Sequence, residues 1–244
     1  MSVADKLATI AENVPKVYEA GKKAEYDAFW DMYQQNGERT SYECAFAGKG
    51  WNEHTLKPKY DVVPTSAYGF LWHLKSDANI DLVKIEEECG ITFDFSNCTS
   101  FTYAFYSSGL TRIGIVDTRS CSAFGQFAAA STTLHTIEKL ILKDDGSQTI
   151  SNATWFLPPY LENITIEGKL GASVSLESNT RINKESIISC FSALSDTSTG
   201  KTFTLRTSRV ATEFETSEGA NDGVSSAEWQ TLIATKPNWT ISLV

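Results

Sequence analysis

The sequence predicts an α+β fold: an N-terminal helical segment followed by an irregular solenoid whose repeated strands form a parallel ladder. Three observations carry this expectation. Val3, Leu7, Ile10, Val14 and Val17 recur at steps of four and three, the spacing of one apolar stripe on a helix. From about residue 80 the phrase apolar-x-x-apolar-x-apolar returns along the chain, and a recurring strand unit marks a stacked architecture. Two helical patterns interrupt the later copies.

Residues 1–37 read as a helical anchoring or oligomerisation segment. The stripe continues through Gly21, Ala24 and Ala28, and Tyr26, Phe29, Trp30 and Tyr33 then load an aromatic face. Asn13 before Pro15 suggests a cap and restart, because Pro is tolerated in a first turn but not in a helix interior. This predicts one helix over 3–12 and a longer one over 15–35, ended by Asn36-Gly37. The stripe either packs on the body or, through its 3.5-residue period, faces a partner helix.

Residues 38–80 read as an aromatic-rich connector holding Tyr42, Phe46, Trp51, Tyr60, Tyr68, Phe70 and Trp72. Pro58 and Pro64 bracket Lys59–Val63, a short strand or extended stretch. Such aromatic density suits a carbohydrate platform or a core that seals two modules together. The seal is the favoured reading.

Residues 81–244 carry the repeats. Leu110-Thr-Arg-Ile113-Gly-Ile115, Ile137-Glu-Lys-Leu140-Ile-Leu142 and Leu161-Glu-Asn-Ile164-Thr-Ile166 are the clear copies. Weaker ones centre on Phe93/Phe95, Phe203/Leu205 and Ile241/Leu243. With Phe93, Ile113, Leu140, Ile164, Phe203 and Ile241 as markers, the steps are 20, 27, 24, 39 and 38 residues. The first three fall in or beside the range of leucine-rich repeats. The longer ones imply inserted structure: a strand at Val174–Leu176, a helix over Glu185–Leu194, and a helix after the capping Ser226. One strand buries too little alone, so stacked units share a core and present their outer positions on a common surface. Arg112, Gly114, Lys139, Ile141, Thr165, Thr204 and Arg206 are the candidate binding residues of that surface.

The 244 residues carry a net charge of −9, which argues against a duplex nucleic-acid binder. The five Cys have no C-x-x-C spacing and read as small buried hydrophobes. Three scattered His give a metal cluster little to build on, and no cofactor is expected. No apolar run is long enough to span a bilayer. The N-terminus lacks a secretory signal, so a soluble chain that does not use the general secretion route is expected.

The decoys are weak. Ser198-Thr-Gly200-Lys201-Thr202 has Ser195 where a phosphate-binding loop needs Gly, and its helix precedes it. Asn97, Asn152, Asn163 and Asn238 begin chance acceptor triplets. Glu86-Glu87-Glu88 reads as a solvated face and Asp144-Asp145 as a turn, so no acid pair is singled out for glycoside chemistry. No nucleophile, base and acid set is recognisable, and no catalytic or metal residue is assigned.

Ser96-Asn-Cys-Thr-Ser-Phe101-x-x-Ala104-Phe105-x-x-Ser-x-Leu110-Thr-x-Ile113 resembles the grammar of BspA-like leucine-rich repeats. The stretch Ser186–Asp196 followed by Gly200–Leu205, and the terminal Lys236-Pro-Asn-Trp239-Thr-Ile241, resemble their closing module. The head, Leu7 to Gly37 followed by Trp51-Asn and Lys57–Asp61, resembles chains from phages and prophages of gut Firmicutes, which tend to be tail- or virion-associated. The repeats here are fewer and less regular than that family's. The resemblance implies a non-enzymatic virion or tail component that contacts protein or glycan. Its expected partners are its own copies, as a trimer by analogy with tail appendages, other tail proteins, and a bacterial surface protein or glycan. No nucleic acid or membrane is expected. The alternative is a bacterial cell-surface adhesin, and a repeat-scaffold polysaccharide-degrading enzyme ranks third.

Overall fold

Five of the six recurring apolar markers, all but Phe93, lie in strands that pair in parallel and nearly in chain order. The computed structural model describes residues 30–34, 37–39, 41–45, 47–48, 56–74, 79–124, 126–150, 156–216 and 222–244, with residues 9, 13, 14, 16, 20, 21, 23, 24 and 28. Its elements are β1 (Ile80–Asp81), α1 (Leu82–Cys89), β2 (Leu110–Asp117), β3 (Ala123–Phe124), β4 (Thr136–Ile141), β5 (Thr149–Ile150), β6 (Asn163–Glu167), β7 (Val174–Ser175), α2 (Lys184–Ala193), β8 (Lys201–Leu205), α3 (Thr207–Glu213), α4 (Ala227–Ala234) and β9 (Trp239–Leu243). The sheets are ordered β1-β2-β4-β6, β3-β5 and β7-β8-β9. Every pairing among them is parallel. The fold is mixed α/β with parallel-strand sheets.

Parallel strands need a crossover connection, and one side of each strand here faces a shared interior. Ile113 pairs with Ile137, and Ile137 with Ile164. All three are buried. The inward positions do not simply alternate. Ile113 and Val116, like Ile137 and Leu140, are three apart, whereas Ile164 and Ile166 are two apart. A register irregularity between Ile137 and Leu140 absorbs the difference, as a bulge does. On β2, whose register with β4 is regular, Ile115 is 51% exposed, although its apolar character suggested an inward side chain.

A second stack runs beside the strands. Cys44 and Gly48, Gly69 and His73, Tyr103 and Ser107, and Gln126 and Ala130 are pairs four residues apart at positive φ. Neighbouring pairs are hydrogen-bonded: Cys44 N donates to Tyr68 O (2.8 Å), Gly69 N to Thr102 O (3.0 Å), His73 N to Tyr106 O (3.0 Å) and Ser107 N to Ala129 O (3.1 Å). Four double turns are thus piled in register, and they begin inside the stretch expected as a connector. Gly69 is needed here, since a β-carbon would sit 2.9 Å from Cys44 Sγ at φ +59.

Within this stack the inward rings form a chain of edge contacts. Tyr42 meets Phe70 at 5.8 Å, Phe70 meets Phe95 at 6.5 Å, and Phe95 meets Phe105 at 5.9 Å. These geometries are the favoured ones for aromatic pairs. One buried apolar cluster extends from Trp30 to Trp239. Part of the aromatic stretch therefore belongs to the main core.

The ladder ends on a helix. Asn183 caps α2 by accepting from Ser186 N at 2.9 Å. Ser186 Oγ and Ser189 Oγ accept the N–H groups of Ile164 and Ile166, each at 2.8 Å. An edge strand left with free donors invites foreign pairing, and this helix covers it. β7, which precedes α2, and β8 and β9, which follow it, form a separate sheet, so the expected single ladder is divided. Lys236, 8% exposed, secures the last strand by donating to Leu194 O and Asp196 Oδ1, both at 2.7 Å.

Several helix expectations meet the structure directly. Ser226 caps α4 by accepting from Trp229 N at 3.1 Å. Asn13, Val14 and Lys16 are all helical, so Asn13 is not the cap of a restarted helix. Residues 30–34 are helical and Gly37 has φ +92, matching a stop at Asn36-Gly37. Phe93 forms only an isolated bridge with Val62, and α3 had no clear sequence signal.

Candidate recognition surface

The strand face carries less free charge than its sequence suggests. Arg112 is ion-paired with Glu138 on the next strand and lies 4.0 Å from Asp81. Lys139 Nζ lies 2.6 Å from Glu167 Oε1. Both cations thus bind carboxylates across the ladder. Thr165 is exposed, and Ile141 is half-buried.

Gly114 is corrected: it is buried. Helix α1 crosses it, and a β-carbon there would lie 3.4 Å from both Val83 Cγ2 and Glu86 Oε2. Glycine admits this close approach. Thr204 and Arg206 are corrected as well, since they lie on or beside β8 in the other sheet. Arg206 Nε donates to Glu177 O at 3.1 Å. The seven candidates are therefore divided between two sheets, and Gly114 is covered.

Under α1, Glu86 and Glu138 flank Gly114. Burial, aided by the charges of Glu138 and Glu87, pushes the Glu86 carboxyl up, although it accepts from Phe93 N at 2.7 Å. Glu138 is engaged by Arg112. Both carboxylates already have structural partners. Among the described residues no group of three or more His, Cys, Asp and Glu could hold a metal ion. No helix among them is long and apolar enough to cross a membrane.

Of the expected anchoring stripe, Val3, Leu7, Ile10 and Val17 lie outside the described residues. Val14 is helical and 59% exposed. Gly21, Ala24 and Ala28, which continue the stripe, are exposed too. The end of this helix docks on the body. Buried Gln34 donates through Nε2 to Tyr60 O (2.9 Å), and its Oε1 accepts from Lys59 N and Tyr60 N (both 3.1 Å). Asp31 takes Lys59 Nζ at 2.7 Å and Tyr60 OH at 2.8 Å, which holds its carboxyl below the usual range.

Tyr68 and Trp72 stand in the aromatic stretch that suited a carbohydrate platform or a seal, but sequence reasoning missed that His73, Tyr103 and Tyr106 join them on the turn stack. Trp72 stacks on Tyr103 at 5.5 Å and 20°, and on His73 at 5.1 Å and 27°. Tyr68 and Tyr106 stand edge-on to Tyr103, at 6.2 Å and 73° and at 5.3 Å and 85°. Tyr68 and His73 are exposed, while Trp72, Tyr103 and Tyr106 are half-buried. The signal was the aligned aromatic residues of Tyr68–His73 and Tyr103–Tyr106, which become neighbours only when the turns stack.

The chain matches no family model, no curated protein and no solved structure.

Proposed function

We propose that the chain is an irregular, BspA-like leucine-rich-repeat solenoid that serves as a non-enzymatic contact scaffold of a phage virion, associated with the tail. The observation that carries the scaffold reading is the parallel order β1-β2-β4-β6, with Ile113, Ile137 and Ile164 in one inward column. Stacked units of this kind give each neighbour a shared core and leave long surfaces for a partner. Arg112, Lys139, Glu86 and Glu138 are engaged with one another or with the fold, which favours a structural role over chemistry at the strand face.

The helical head would join copies of the chain, as a trimer, or bind another tail protein. Exposed Val14, Gly21, Ala24 and Ala28 support this reading, because an apolar seam of 3.5-residue period suits a partner helix. Mass spectrometry of purified particles tests the location: the chain is expected at stoichiometric copy number, and its absence would overturn the virion assignment. Light scattering before and after removal of residues 1–29, which keeps the docked Trp30 and Gln34, tests the oligomer; an unchanged assembly size would count against it.

A bacterial cell-surface adhesin is the second reading, favoured by the same ladder and by the exposed aromatic cluster. Cell fractionation separates the two, since an adhesin would be found on the producing cell and not on particles.

A further inference from the structure

We propose that the aromatic cluster on the turn stack, formed by Tyr68, Trp72, His73, Tyr103 and Tyr106, is a binding site for a neutral oligosaccharide. This rests on the reading of the chain as a contact scaffold and moves the contact from the strand face to the turn face.

The backbone gives the first argument, which is placement. Tyr103 at φ +57 and His73 at φ +55 belong to the two positive-φ columns of the turn stack, together with Cys44, Gly48, Gly69, Ser107, Gln126 and Ala130. Repetition of that turn from rung to rung brings the rings of Tyr68–His73 beside those of Tyr103–Tyr106.

Geometry and chemistry give the second. Trp72 and Tyr103, on adjacent rungs, lie 20° from parallel, and Tyr68 and Tyr106 stand steeply against Tyr103. The exposed Tyr68 and His73 and the half-buried Trp72, Tyr103 and Tyr106 thus form one contiguous aromatic patch. Among the described residues the phenol oxygens of Tyr68, Tyr103 and Tyr106 have no hydrogen-bond partner. A sugar ring offers an apolar C–H face rimmed by hydroxyls, and side chains with an apolar body and a polar tip match both. None of the five carries a formal charge with His neutral, and the chain's net charge of −9 disfavours an anionic polymer. The ligand is therefore neutral.

The experiment is binding of the full chain to an immobilised panel of neutral hexose and N-acetylhexosamine oligosaccharides, with titration of the best member. Saturable binding is expected. Trp72→Phe and Tyr103→Gly should each weaken it at least about tenfold. Tyr103→Gly is chosen because Gly69 already fills the matching turn position, so circular dichroism should confirm a retained fold. An Arg112→Ala and Lys139→Ala double variant should bind like the parent chain. No binding to any panel member overturns the proposal, as does binding lost only in the double variant. Particle mass spectrometry reads the scaffold role separately, so a chain present in virions without saccharide binding would overturn this inference alone.

Discussion

Ile164 donates its backbone N–H to Ser186 Oγ at 2.8 Å, so a helix side chain occupies the place of the next strand. Ser186 is 2% exposed and its hydroxyl also donates to Glu162 O at 3.1 Å. The ladder is closed at β6 by this helix.

Removing that hydroxyl leaves a buried donor without a partner. Ser186→Ala should lower stability by about 1–3 kcal/mol. Ser189→Ala, at a half-buried position, should lower it less. Urea unfolding followed by far-ultraviolet circular dichroism measures both, and an equal, negligible effect would contradict the capping role.

Stacked turns also require glycine at close backbone approaches. A β-carbon on Gly168, which has φ +85, would collide with Leu142 O, and one on Gly171 with Gly146 O. Gly168→Ala and Gly171→Ala should each destabilise by at least about 2 kcal/mol. Gly90→Ala, at φ +65 with open space around it, should lose only about 1 kcal/mol. The ranking, read from thermal or urea midpoints, tests the stacking.

Much of the ladder was legible in the sequence because its inward residues are large and apolar. Ile113, Leu140, Ile164, Phe203 and Ile241 all lie in strands. The helix over 184–193 and the Ser226 cap were also readable from local pattern. The turn stack was not, since Cys44, Tyr103 and Gln126 adopt positive φ without being glycine. Gly114 was misjudged for a tertiary reason, since α1 covers it, and Ile115 because the buried positions of β2 are Ile113 and Val116, three apart, which strict alternation does not foresee. The division into two sheets follows from α2 taking a rung's place, which strand periodicity alone does not encode. The aromatic cluster needed that turn stack to exist before its members could be seen as neighbours.

Glu86 gives a pH dependence. Its folded-state pKa is raised, chiefly by burial. For an acid, the stabilisation relative to the charged form is fully present below the unfolded-state pKa and is lost as pH rises through the folded value. Glu86→Gln keeps an acceptor for Phe93 N and removes the buried charge. The variant should be more stable than the parent at neutral pH, with the difference vanishing in acid. A variant less stable at neutral pH would contradict this.

The thiols should separate by burial. Desolvation pushes Cys121 and Cys190 up to about 12 and raises Cys98 as well. Cys44 is exposed and Cys89 half-buried with its thiol raised. A thiol reagent at neutral pH should modify Cys44 first, and should reach Cys98, Cys121 and Cys190 only in denaturant. Uniform reaction of all five in the native protein would contradict the packed core.

Isoleucine-methyl nuclear Overhauser spectroscopy tests the parallel stack most directly. The register Ile113–Ile137–Ile164 predicts cross-peaks between the first and second residues and between the second and third. Cross-peaks from Ile113 to Ile141 with none to Ile137 would mean a different strand pairing, and the stacked scaffold would be contradicted.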